Sequence, residues 1–106
     1  MIGYKVVSQR NKKLESWCFL PSVAGVRYVI GKETRPQTGC GPLCVFSSLR
    51  SVQENLPNLS DPIYRCYFTP SRKRSVWRKD KETTPLSELP NGTRLATSVT
   101  LLERIF

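Results

Sequence analysis

Turn-forming residues limit what this chain can fold into more than any other feature of its sequence. Eight prolines and six glycines are spread over 106 residues, and this composition implies many turns and prominent loops. The apolar runs between them are short and rich in β-branched and aromatic residues, which favour strands. A chain of this length has room for one hydrophobic core, so the sequence predicts a single domain over residues 1–106.

The short apolar runs predict a sheet of several strands. They occur at residues 3–7, 14–20, 26–30, 43–46, 63–68 and 95–102, with a shorter one at 75–78. Alternation within the fifth run puts Tyr64, Cys66 and Phe68 on one apolar face, which we expect to be buried. Residues 32–42 contain two prolines and two glycines, which do not fit a regular element, so we expect a surface loop there.

The last apolar run has two interpretations. Its threonines and valine favour a closing strand over residues 95–102. A helix over residues 98–105 is the alternative, because Val99, Leu102 and Phe106 would share one helical face. We prefer the strand.

One helix is expected at about residues 48–56. Leu49, Val52 and Leu56 follow i, i+3, i+7 spacing, which is typical of an amphipathic helix, and one of the two serines before them can cap its first turn. The predicted fold class is therefore α+β: a small, mostly antiparallel or mixed sheet with one short helix.

The basic residues are concentrated in one segment. Residues 72–81 hold six of the chain's seventeen lysines and arginines and one acidic residue, so the segment contributes +5 to the chain's net charge of +9. Its cations are Arg72, Lys73, Arg74, Arg78, Lys79 and Lys81, and Trp77 lies among them. Lysine and arginine displace counterions from phosphates, and an indole ring can stack on an unpaired base. The segment predicts a non-catalytic site for nucleic acid or a nucleoprotein.

Two other interpretations of this segment remain open. Val76 and Trp77 can be core residues of a hairpin whose basic loop only aids solubility. The charges can also steer the chain toward an acidic host protein, which it would inhibit or recruit, with Trp77 as a buried anchor in the interface. DNA, RNA and protein all remain partner classes at this point.

The residues needed for most catalytic and metal sites are missing from the sequence. The chain contains no histidine, which excludes Ser-His and Cys-His catalysis. Its cysteines are Cys18, Cys40, Cys44 and Cys66. They lack the C-x-x-C spacing of structural zinc sites, and all but Cys40 lie in apolar contexts where a thiol packs as a small hydrophobe. We therefore predict no metal, no cofactor and no catalytic residue.

The apolar content also bears on location. No apolar run approaches the roughly 20 residues needed to span a bilayer, and the N-terminal residues lack the basic-then-apolar order of a secretion signal. We therefore expect a cytoplasmic protein with no membrane partner.

Part of the sequence resembles small accessory proteins of phages and other viruses. The resemblance is carried by CGPLCVFSSL at residues 40–49, with YVIG at 28–31, IYRC at 63–66 and LPNGTRLA at 89–96. That group implies no activity for this chain. The resemblance implies a viral accessory protein, acting inside the host cell on a host component.

The order of strand, glycine-containing loop, strand and helix also resembles ADP-ribosyltransferase-like folds. Those enzymes hold nicotinamide dinucleotide with histidine or arginine, serine or tyrosine, and glutamate residues. This chain has no histidine, and none of its glutamates lies in a recognisable motif. A nucleotide-binding enzyme of that fold is therefore a less favoured alternative.

Overall fold

The computed structural model describes residues 1–10, 13–16, 27–36, 41–56, 61–77 and 83–106. Side chains are described in all of these ranges except at residues 8–10 and 13–16. The described residues form mainly antiparallel strands with one α-helix. This arrangement confirms the predicted α+β class.

Strands make up most of the regular structure in the described ranges. They are β1 (Ile2–Arg10), β2 (Lys13–Ser16), β3 (Arg27–Tyr28), β4 (Glu33–Thr34), β5 (Leu43–Phe46), β6 (Ile63–Pro70), β7 (Ser75–Val76), β8 (Thr84–Pro85) and β9 (Thr93–Arg104). The α-helix α1 covers Leu49–Asn55, between β5 and β6, and a 3-10 turn covers Leu86–Glu88, after β8.

Four of the described strands close into a ring. β1 pairs with β6, β6 pairs with β9, and β9 pairs with β5. β5 then returns to β1 through the pair Tyr4 and Phe46. β2 and β3 continue the sheet beyond β1, and β4 pairs with the second half of β9. Each strand of the ring therefore has a hydrogen-bonded neighbour on both sides.

The hydrophobic core lies on both faces of β1. Val7 belongs to a larger cluster in which β3, β5, β6 and β9 meet, and Val6 belongs to a smaller cluster that α1 covers. The larger cluster consists of Val7, Tyr28, Leu43, Val45, Tyr64, Cys66, Phe68, Ala96, Val99 and Leu101, and the smaller one of Val6, Phe46, Val52 and Ile63. Consecutive side chains of a strand point to opposite faces, which is why neighbours in β1 enter different clusters.

The helix forms where the sequence predicts it. The side chain of Ser48 caps α1 by accepting a hydrogen bond of 3.1 Å from the amide of Ser51. Val52 is buried, and Leu49 and Leu56 pack beside it against the smaller cluster. Within the described ranges no helix has the length and apolar character needed to cross a bilayer.

Most predicted strands are present, β5 with its predicted bounds and others with different lengths. Tyr64, Cys66 and Phe68 are buried as expected. β9 is a strand of 12 residues, so the helical alternative for residues 98–105 is wrong. Of the predicted strand at 26–30, the described part forms β3 at Arg27–Tyr28 and ends there because the chain turns, with the amide of Lys32 bonded to the carbonyl of Val29. Residues 17–20 of the predicted second strand lie outside the described residues.

The prediction of a surface loop over residues 32–42 is wrong at both described ends, where residues pair with other segments. Glu33 and Thr34 form β4, which pairs with Thr100 and Val99 of β9. Gly41 at the other end is buried and forms an isolated bridge with Trp77. Both contacts join segments far apart in the chain, so local composition gives no sign of them. Residues 37–40 lie outside the described residues.

Candidate polyanion-binding surface

Residues 71–74, which we call the basic loop, have a backbone held in place by three hydrogen bonds. The amide of Ser71 donates to the carbonyl of Leu95 in β9 at 2.8 Å, and the amide of Leu86 donates to the carbonyl of Arg74 at 2.7 Å. Between these two points the amide of Lys73 donates to the side-chain oxygen of Ser71 at 3.1 Å. The loop is therefore fixed before any partner binds.

The basic loop places its cations beside another arginine. Arg72, Lys73 and Arg74 are all exposed. Because Ser71 is bonded to Leu95, the loop begins next to Arg94, which is also exposed and precedes Leu95 in β9. Lys73 and Arg94 line the same small cavity. Four cationic side chains thus gather on one part of the surface.

These four cations differ from several others in their partners. Arg35, Arg50 and Arg65 form ion pairs with Glu33, Glu54 and Glu103 at 2.7 to 2.8 Å. No such pair connects the basic loop or Arg94 to any acidic side chain of the described residues. No acidic side chain of the described residues therefore neutralises their charge, which a polyanion could contact.

The cavity between Lys73 and Arg94 has a volume of about 110 Å³. Among the described residues, no carboxylate contributes to its walls. The cavity therefore combines two cationic side chains with apolar and uncharged polar groups. Besides Lys73 and Arg94, its walls include the buried Phe68 and Leu95, Leu86 of the 3-10 turn, and Met1, Pro70 and Ser71.

Trp77 is partly buried and contacts Gly41 through both its backbone and its ring. Its backbone exchanges two hydrogen bonds with Gly41, at 2.6 and 3.0 Å. Its ring lies over Gly41 so closely that a Cβ there would be 3.2 Å from ring atom Cζ2. Val76 beside it is fully buried. The hairpin interpretation of these two residues thus has support, and it leaves less of the Trp77 ring available to stack on a base.

The remaining predicted site residues lie outside the described part of the chain. They are Arg78, Lys79 and Lys81. Arg94, by contrast, belongs to the described site and was missed in the sequence. It lies in the closing strand, 20 positions after Arg74, and the hydrogen bond between Ser71 and Leu95 shows that the two segments are neighbours.

A second group of polar side chains lies inside the core. Lys5 is 4% exposed, and its Nζ donates to the carbonyl of Cys44 at 2.6 Å and lies 5.5 Å from the centre of the Tyr28 ring. The hydroxyl of Tyr28 is buried with no hydrogen-bond partner among the described residues. Burial raises the pKa of the Cys66 thiol to about 11, although the charge of Lys5 opposes the shift. A thiol with that pKa is protonated at neutral pH and is a poor nucleophile.

The described residues bring no metal-ligand set together. No group of three or more cysteine, aspartate or glutamate side chains among them is placed to hold a metal ion. Cys18 and Cys40 lie outside the described residues. What the described surface offers is charge and hydrogen-bond donors, which suit an anion.

Comparisons of this chain with protein-family models, curated proteins and solved structures found no match.

Proposed function

We propose that this protein binds nucleic acid through the phosphates, without catalysis, using the basic loop together with Arg94. The observation that carries the proposal is the cluster of exposed cations that have no acidic partner among the described residues. Cations of this kind gain affinity by releasing counterions from a phosphate chain. Contacts to phosphates carry no sequence information, so binding should tolerate many sequences.

The arrangement favours nucleic acid over an acidic protein. A protein interface usually depends on a large aromatic or arginine anchor that becomes fully buried at its centre. Trp77, the candidate anchor, already packs on Gly41 within the fold. A phosphate chain needs no such anchor, because its repeated charges match a row of exposed cations. This partner is consistent with the cytoplasmic location and the viral accessory role expected from the sequence.

Fluorescence anisotropy tests the proposal directly. Labelled single-stranded DNA, duplex DNA and RNA are titrated with the protein at several salt concentrations. If the four cations each contact one phosphate of a single strand, the logarithm of the binding constant should fall with the logarithm of salt with a slope of about −3. Absence of binding at low salt would refute the proposal and leave an acidic protein as the partner class to search.

Two double variants with the same change in charge locate the surface. Arg72→Glu with Arg74→Glu should weaken binding by more than about tenfold and reduce the salt slope by about one and a half, because two phosphate contacts are lost. Arg27→Glu with Lys32→Glu is the control. Both control residues are exposed. Lys32 follows Gly31, whose amide donates a hydrogen bond to the carbonyl of Leu101 in β9. Leu101 lies about 20 Å along β9 from Leu95, where the basic loop is attached.

The comparison separates location from net charge. Affinity of the control variant should stay within about threefold of the parent at physiological salt, since distant exposed charges are screened. Equal losses in both variants would mean that binding follows the overall charge and that the basic loop is not the site. Circular dichroism melts of all variants establish that they remain folded.

A further inference from the structure

The cavity beside the basic loop combines two cations that come from different elements. Lys73 belongs to the loop after β6, and Arg94 belongs to β9. The hydrogen bond from Ser71 to Leu95 fixes their backbones relative to each other. Glu88 is the described acid nearest to the cavity in sequence, two positions after Leu86, and it forms no ion pair with either cation. An anion in the cavity would therefore meet both Lys73 and Arg94, and no carboxylate of the described residues.

The size of the cavity limits what can enter. Its volume is about 110 Å³, whereas an apolar cavity of about 150 Å³ holds benzene, which has six heavy atoms. By the same proportion the cavity has room for about four heavy atoms, the number in the phosphorus and three free oxygens of a phosphate monoester. A phosphate group has that size, and a nucleobase is about twice as large. The cavity therefore fits the phosphate of a nucleotide and excludes its base.

The apolar groups in the cavity wall strengthen the attraction. Phe68 and Leu95 are buried and Leu86 is partly buried, so part of the wall is made of groups that do not hydrate an anion. Charges interact more strongly where low-polarity groups replace water. A phosphate seated here would bind more tightly than one lying along the exposed loop.

A terminal phosphate suits this cavity better than one inside a strand. A phosphate monoester carries a charge of about −1.5 to −2 at pH 7 and has three free oxygens. It also has one substituent, so its oxygens can enter the cavity while the chain leads away. An internal phosphodiester has two substituents and one negative charge, so the chain on either side holds it at the rim.

We propose that the cavity between Lys73 and Arg94 binds the terminal phosphate monoester of a nucleic-acid strand. The proposal rests on the proposed function, because the basic loop would hold the internal phosphates of the same strand. The protein would then bind preferentially at phosphorylated strand ends.

The test compares single strands that carry equal numbers of phosphate groups. Oligonucleotides with a 5′ or a 3′ phosphate, each labelled at the opposite end, are titrated against an unphosphorylated strand that is one nucleotide longer. A strand with the preferred phosphorylated end should bind roughly tenfold more tightly, as expected for added hydrogen bonds to a charged group. Equal affinities would overturn this inference and leave the proposed function intact, whereas absence of binding to every strand would refute both.

Two variants test whether the cavity is responsible. Leu86→Trp fills the cavity and keeps all cations, so it should abolish the preference for the phosphorylated end and leave affinity for the longer unphosphorylated strand unchanged. Lys73→Gln with Arg94→Gln should abolish the preference and also weaken binding to every strand. A preference that persists in Leu86→Trp, in a variant whose melt shows a folded protein, would overturn the assignment to this cavity.

Competition distinguishes a strand end from a free nucleotide. Inorganic phosphate and a nucleoside monophosphate are added to the complex with the phosphorylated strand. Both should displace it only at concentrations at least about a hundredfold above that of an unlabelled phosphorylated strand, because neither contacts the basic loop. Displacement by the mononucleotide at the same concentration as the strand would assign the cavity to free nucleotides and overturn the proposal.

Discussion

The side chain of Cys66 lies in the larger core cluster with none of its surface exposed. Burial penalises the thiolate, and this penalty exceeds the opposing effects of the Lys5 charge and of a backbone hydrogen bond with Gly3. Lys5, which faces the same cluster, is charged yet buried, with its ammonium group bonded to Cys44 and its stem among apolar groups. Two residues with ionisable side chains thus contribute mainly through packing.

The raised pKa of Cys66 predicts a loss of stability at alkaline pH. The pKa of this thiol is 9.0 in the unfolded chain and about 11 in the folded protein. Between these values the unfolded state has released a proton that the folded state still holds, so the free energy of unfolding falls as pH rises through that window. The contribution is complete below pH 9 and amounts to at most about 2–3 kcal/mol.

Urea denaturation at pH 8, 9.5 and 11, with reductant, measures this effect. The variant Cys66→Ala is the control, because it keeps every other ionisable group of the chain. The parent should lose more stability than Cys66→Ala between pH 9 and pH 11. Parallel curves for the two proteins would contradict the assignment.

Lys5 provides a second prediction at this scale. Lys5→Ala removes the buried stem and the hydrogen bond to the carbonyl of Cys44, so it should lower the free energy of unfolding by about 2–4 kcal/mol. Lys5→Met keeps most of the apolar volume and removes the charge, and should cost less than half as much. Urea denaturation of the two variants at neutral pH provides the measurement. Equal losses would show that packing of the stem contributes nothing.

The elements that could be predicted from the sequence are those that local pattern determines. β6 alternates strictly between buried and exposed side chains at residues 64–68, and α1 has both a capping serine and an apolar repeat. β4 could not be predicted, because Glu33 and Thr34 form a strand only where the edge of β9 pairs with them.

For the candidate site, the cations of the basic loop are visible in the sequence. Arg94 is not, because a hydrogen bond between distant segments brings it there.

Gly92, just before β9, gives a prediction about how one element constrains another. Its φ is +86°, and a Cβ there would collide with the side chain of Ser51 in α1. Its carbonyl also accepts a hydrogen bond of 2.8 Å from the amide of Ser47. Gly92→Ala should therefore combine backbone strain with displacement of the first turn of α1, and lower the free energy of unfolding by about 2–3 kcal/mol.

Gly31→Ala is the matched control for this substitution. Gly31 has a similar φ of +81°, but a Cβ there would meet nothing within 4 Å among the described residues. This variant should show the strain alone, about 1 kcal/mol. If denaturation gives equal costs for the two variants, the contact between Gly92 and α1 has no energetic importance.

The molecule as a whole distributes its charge unevenly. Three glutamates neutralise arginines on β4, α1 and β6 or close to them, whereas the described cations of the basic loop and Arg94 have no acidic partner among the described residues. The candidate site draws on residues 71–74 and on Arg94 in β9, so it requires the folded chain. A peptide containing residues 72–81 alone would keep most of the charge without the cavity. Viral origin and a host partner stay predictions.

The closed ring also affects how copies of this protein behave toward one another. Exposed sheet edges offer unpaired amides and carbonyls, on which another chain can add a strand and begin to aggregate. The path of the described sheet ends at β3 and β4, and each of these strands has two residues. Such short edges are poor templates for a foreign strand. The described edges therefore offer little on which copies could polymerise, a property that would matter if many copies crowd along a nucleic-acid strand as proposed.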